Sequence, residues 1–110
     1  MNVGDYGTKF VFGTGLNGAG YNMAPFTGLS MVFTAPDGIT TFTVAATLGT
    51  SVYTLPNGST FNSNQWAYYN FLINQITQAG KWLVRLIYDQ NTASPPIHLN
   101  SQVSSFMVGP

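Results

Sequence analysis

Charge is what this chain lacks most. Only 5% of its 110 residues are Asp, Glu, Lys or Arg, glutamate is absent altogether, and 45% are hydrophobic. An ordinary soluble domain carries about 25% charged residues and relies on them to stay dispersed. A surface this poor in charge is therefore expected to lie against other protein. The ionisable inventory, tyrosines and termini aside, is Asp5, Asp37, Asp89, Lys9, Lys81, Arg85 and the single histidine, His98. Three cations cannot form the basic track that phosphate backbones require, so nucleic acid is not an expected partner. Three scattered aspartates cannot supply the six to eight oxygens of a calcium site, and no metal or other cofactor is expected.

Cysteine is also missing, which excludes a disulfide framework and a zinc-finger spacing. No apolar run approaches the roughly 18 residues of a membrane-spanning helix. The longest candidate, from Trp66 to Ile76, is broken by Asn70, Asn74 and Gln75. The opening MNVGDYGTKF has neither a basic start nor an apolar core, so neither a signal peptide nor a membrane association is expected. The chain is nevertheless 15% aromatic, which separates it from disordered sequences of similar Gly, Ser, Thr and Asn content. A single domain over residues 1–110 is expected.

What is present is period-two alternation between turn residues, the mark of strands. Leu29, Met31, Phe33 and Ala35 alternate with Ser30, Val32 and Thr34. Phe42, Val44, Ala46 and Leu48 alternate with Thr41, Thr43, Ala45 and Thr47 over Ile39 to Leu48. Pro36-Asp37-Gly38 joins the two runs as a hairpin, because proline presets a turn angle and glycine accepts positive φ. Phe10 and Phe12 mark a first strand, Gly13 to Gly20 a loop, Val52 to Leu55 a short strand, and Ser59 to Asn64 a loop. Over Trp66 to Ala79 a helix competes, since Tyr69, Leu72, Ile73 and Ile76 have helical spacing. Alternation of Tyr69, Phe71 and Ile73 with high aromatic content favours a strand. From Lys81 to Asp89, Trp82, Val84, Leu86 and Tyr88 share one face and Lys81, Leu83, Arg85, Ile87 and Asp89 the other. A last strand lies within Val103 to Val108. About seven short strands without strand-helix alternation indicate an antiparallel β-sandwich.

Two resemblances narrow this. Phe71 to Val84 resembles the corner between strands E and F of immunoglobulin-like domains: Phe71 and Ile73 would end strand E, Ile76 would plug the corner, and Gly80, Trp82 and Val84 would open strand F. Trp82 stands where that corner usually has Tyr, and Val84 where an antibody domain has Cys. The chain as a whole resembles small immunoglobulin-like modules of tailed-phage virions, through Val3-Gly4-Asp5-Tyr6-Gly7-Thr8, Pro36-Asp37-Gly38, Gly80-Lys81-Trp82 and Phe106-Met107-Val108-Gly109-Pro110. The second resemblance implies a virion protein made in the host bacterial cytoplasm. Its expected role is capsid decoration, or a neck, tail or baseplate adaptor, with the major capsid protein or neck and tail subunits as partners and homo-oligomers expected.

Candidate sites follow from this inventory. His98 lies in Ser94-Pro95-Pro96-Ile97-His98 and is expected on the surface or in a loop; with Asp89 it forms the one catalytic constellation conceivable, and no enzyme is expected. Gly13-Thr14-Gly15-Leu16-Asn17-Gly18 superficially resembles a phosphate loop but lacks the following Lys-Ser/Thr, and reads as a strand connection. Trp66, Tyr68, Tyr69, Trp82 and Tyr88 could stack on a glycan, whereas Tyr69, Trp82 and Tyr88 are expected in the core. If Tyr69 points inward, Trp66, Tyr68 and Leu72 point outward. Joined with Leu83, Arg85 and Ile87 across neighbouring strands, they are expected to form one partner-binding face. The termini, without charge or pattern, are expected to fray or to order on a partner.

Overall fold

Strands form where alternation marks them, but the chain crosses between sheets at places that alternation does not mark. The computed structural model describes residues 1–26, 28–90, 97–101 and 103–110. Among the described residues there are ten strands and no helix: β1 (Lys9–Gly13), β2 (Gly28–Thr34), β3 (Thr41–Ala45), β4 (Thr47–Leu48), β5 (Tyr53–Thr54), β6 (Thr60–Phe61), β7 (Trp66–Asn70), β8 (Gly80–Gln90), β9 (Ile97–Asn100) and β10 (Ser104–Val108). One sheet has the order β1-β7-β4, and a larger one the order β10-β8-β2-β3 with β9 also on β8; β5 and β6 pair separately. All these strand pairs are antiparallel.

β2 and β3 are the expected hairpin, with Phe33 opposite Phe42 and Thr34 opposite Thr41. The run from Ile39 to Leu48 is not one strand, however. After β3 the Ala46 N–H donates to the Leu29 carbonyl (2.9 Å), and the chain then changes sheets, so that β4 pairs β7. Alternation survives the crossing because Val44, Ala46 and Leu48 all pack against the same core.

At residues 66–79 the strand reading holds only as far as Asn70. There the Phe71 N–H is taken by the Thr8 carbonyl (3.0 Å), and the Leu72 N–H by Gln75 Oε1 (2.8 Å). Asn74, at φ 68°, completes the turn. Phe71 and Ile76 are buried, whereas Leu72 and Ile73 are 62% and 63% exposed. Ile73 therefore does not end a strand as expected. Ile76 does plug the corner.

β8 is the spine of the larger sheet. Trp82, Val84 and Leu86 are buried and Lys81, Leu83 and Arg85 are exposed, as the alternation requires. Its other partner is one interrupted strand. The ladder is read from Gly80 to Val84 against β10 and from Ile87 to Gln90 against β9. Ser101 bridges the gap, its N–H donating to the Leu86 carbonyl (2.7 Å) and its Oγ accepting from the Leu86 N–H (2.8 Å). His98 is thus on strand β9; Ser94, Pro95 and Pro96 lie outside the described residues.

The space between the sheets is filled by one cluster that includes Phe12 and Ala67 from the smaller sheet and Met31, Phe33, Trp82, Val84, Leu86 and Val108 from the larger. Each fully buried large side chain contributes about 1.5–3 kcal/mol of transfer free energy. Phe33 is its centre, with ring centroids of Phe10, Phe42 and Phe71 at 5.5, 5.1 and 5.1 Å. The chain ends, expected to fray, are tied together instead. Asn2 and Gly109 form a parallel bridge, with the Val3 N–H donating to the Gly109 carbonyl (3.0 Å) and the Gly109 N–H to the Met1 carbonyl (2.9 Å).

Candidate docking faces

The outward residues of β8 belong to a broad face whose rows follow from the register. Met107 lies beside Lys81, and Ser105 and Thr34 flank Leu83. Val32 lies beside Arg85, with Thr43 beyond it. Ser30 and Asn100 flank Ile87, and Gly28 and His98 flank Asp89. Met107 is 67% and Leu83 37% exposed, Ile87 is half-buried, and hydroxyl side chains surround them. A depression of about 200 Å³ opens among Val32, Thr34, Leu83, Arg85 and Val103. Apolar centres ringed by hydroxyls suit protein contact, because hydroxyls desolvate at far lower cost than ions.

Of the ionisable groups, Asp89 and His98 meet across β8 and β9 through Oδ1 and Nδ1. No other ion pair occurs among the described residues, so Lys81 and Arg85 are unpaired there. The Asp89–His98 contact holds the imidazole in one orientation. No described hydroxyl is hydrogen-bonded to its other nitrogen. Asp37 is committed to its turn: its carboxylate accepts from the N–H groups of Ile39 (2.9 Å) and Thr40 (2.8 Å), the Thr40 hydroxyl (2.8 Å) and Gln78 Nε2 (2.8 Å). The Thr40 amide above all, then Gln78 and the Ile39 amide, hold its carboxyl far below the usual range. Asp5 accepts from the Asn2 N–H (2.9 Å). Burial, with Tyr21 alongside, pushes the Tyr88 phenol up.

The glycine-rich loop is tied to β6 through Asn17. Its Asn17 N–H donates to the Thr60 carbonyl (2.7 Å), and Asn17 Oδ1 accepts from the Thr60 N–H (3.1 Å). The segment is a strand connection pinned to β6.

The single face expected of Trp66, Tyr68, Leu72, Leu83, Arg85 and Ile87 is divided by the fold. The corner at 71–79 carries the chain from one sheet to the other, so β7 and β8 are not neighbours. Tyr68 lies on the outer side of the smaller sheet, Leu72 in the corner, and Leu83, Arg85 and Ile87 on the outer side of the larger one. Trp66 does point out of the sandwich, but it is only 5% exposed. The β5–β6 hairpin covers it, with the Tyr53 ring 5.1 Å away, and its Nε1–H donates to the Ser51 carbonyl (2.7 Å). Glycine makes this seat possible: a Cβ on Gly49 would fall 2.0 Å from the indole. Tyr68 carries Lys9 Nζ 4.5 Å above its ring. Tyr69 and Tyr88 pack against the core, and Trp82 is buried within it.

The sequence reading missed Val32, Met107 and Val103 as companions of Leu83. The alternation of Ser30, Val32 and Thr34 contained the signal, but only the β2–β8 pairing places Val32 beside Arg85. Comparison with protein-family models, with curated proteins and with solved structures finds no match.

Proposed function

We propose that this chain is a non-enzymatic structural module of a tailed-phage virion, a capsid decoration protein that docks on the assembled head through the outer face of its larger sheet. The observation that carries the reading is the composition of that face: Val32, Leu83, Ile87 and Met107 among serines and threonines, with Lys81 and Arg85 unpaired among the described residues. Of the large hydrophobic side chains exposed among the described residues, Leu83, Met107 and Val103 gather at this face, which supports a contact surface.

The strand neighbours support the immunoglobulin-like arrangement that the sequence resemblance implies. With β1, β7 and β4 taken as strands B, E and D, and β10, β8, β2 and β3 as G, F, C and C′, the neighbours follow the order of that sandwich. Decoration stabilises a shell by mass action, each weak contact repeated by symmetry. A neck, tail or baseplate adaptor would use the same face. The carbohydrate-binding alternative loses its principal platform with Trp66 buried; Tyr68 and Tyr53 remain half-buried beside it.

Cryo-electron microscopy of the virion tests the proposal. Density for this sandwich on the head shell supports decoration, density at the neck or tail reassigns it as an adaptor, and its absence from the particle overturns the virion reading.

A further inference from the structure

β1 is an edge with its hydrogen-bonding groups turned outward. It pairs β7 on one side, and no described strand pairs it on the other. The Thr8 carbonyl accepts from Phe71 N–H, and the Thr14 N–H donates to the Gln65 carbonyl. Backbone groups of even-numbered residues therefore face β7, and those of Lys9, Val11 and Gly13 face away. Among the described residues the flank beside them holds cavities of about 180 Å³ by Phe10, Val11 and Ser104 and about 470 Å³ by Phe12, Thr14 and Tyr88. β1 has no proline or bulge, and Lys9 is the one charge along its edge.

We infer that β1 is a self-pairing edge and that its partner is β1 of a second copy, antiparallel about a two-fold axis at Val11. The outward groups are symmetric about Val11, so this register places Lys9 opposite Gly13 of the second copy, Val11 opposite itself, and Gly13 opposite Lys9. Each position forms a hydrogen-bonded pair, and none of the six donors is left over.

The same register also brings a cation to an aromatic ring. Gly13 has no side chain, and the Phe61 ring occupies that space, since a Cβ there would lie 2.1 Å from Phe61 Cε1. The Lys9 ammonium of one copy, already over its own Tyr68, would thus come beside the Phe61 ring of the other, a cation meeting a π face. The joined sheet would run β4-β7-β1 and back through the second copy, leaving the outer face of the larger sheet free. The inference is independent of the proposed docking.

Sedimentation equilibrium of the purified chain, from micromolar to millimolar, reads the outcome. The expected result is a reversible dimer of twice the 11.9 kDa chain mass. Val11→Pro removes an N–H that no strand of the same molecule uses, so the monomer should keep its circular dichroism while dimerisation weakens at least about tenfold. Because residue 11 faces itself, Val11→Lys and Val11→Glu should each be monomeric alone and dimeric when mixed. A wild type that is monomeric throughout, or a dimer that Val11→Lys leaves intact, overturns the inference. Failure of the mixed pair to associate overturns the register. Binding of a different chain along β1 with no self-association rejects the second copy as partner.

Discussion

The indole N–H of Trp82 donates to the backbone carbonyl of Gln78, four residues upstream, at 2.9 Å. Trp82 is fully buried, and the bond closes the corner between β7 and β8. In immunoglobulin-like domains a tyrosine hydroxyl reaches back to an upstream backbone group at the corresponding corner. On the immunoglobulin-like reading proposed above, a donor-only indole takes that part, because the group to be satisfied is an acceptor. Trp82→Phe removes that donor and leaves a cavity. We expect a loss of about 2–4 kcal/mol in urea denaturation, from the unpaired carbonyl and the lost packing together.

Asp37 and Gln78 fasten the β2–β3 turn to the same corner through a 2.8 Å bond from Gln78 Nε2. Since the folded-state carboxyl is depressed, the folded chain releases the Asp37 proton more readily than the unfolded chain. Asp37 therefore stabilises the fold above its unfolded value of about 4, and the contribution is lost as pH falls through that value towards the folded one. Asp37→Asn should lower the urea midpoint at pH 7. The gap between variant and wild type should narrow steadily when the midpoints are measured below pH 4; a gap independent of pH would contradict this assignment.

Gly49 exists where the Trp66 indole needs room. Gly49→Ala would force a methyl against the ring and displace the indole or the β5–β6 hairpin above it. Overpacking of this kind costs about 1–3 kcal/mol. Thermal unfolding should show the loss, and near-ultraviolet circular dichroism should show the tryptophan environment changed, while β2, β3 and β8 keep their sheet signal.

How much of this was legible in the sequence depended on whether one strand or two were needed. The inward face of β8 could be read directly, because Trp82, Val84 and Leu86 repeat every second residue. The Pro36-Asp37-Gly38 hairpin was legible for a similar reason, its turn chemistry being local. The sheet change at Ala46 was not, since a strand that crosses over keeps its core-facing alternation. The burial of Trp66 was invisible because its cover, Tyr53, comes from a hairpin of two-residue strands. β9 was missed because it follows a proline-rich run and is recognisable only by its pairing with β8. Of the residues grouped in the sequence, Leu83, Arg85 and Ile87 lie on one strand, whereas Trp66 and Tyr68 lie in the other sheet, a separation that only the topology displays.

That division yields a separate expectation. Tyr68→Asp alters the outer side of the smaller sheet and should leave particle association within about twofold of wild type, as expected for a substitution outside the contact. Co-sedimentation with assembled heads provides the measurement.

The most direct test is the affinity of the purified Leu83→Asp variant for assembled heads, with circular dichroism and the thermal midpoint recorded alongside. Leu83 lies at the exposed centre of the larger sheet's outer face, where a carboxylate would be buried unpaired in the contact. A native-like fold and at least about a thirtyfold loss of binding are expected. Binding that survives unchanged on a folded variant would contradict it.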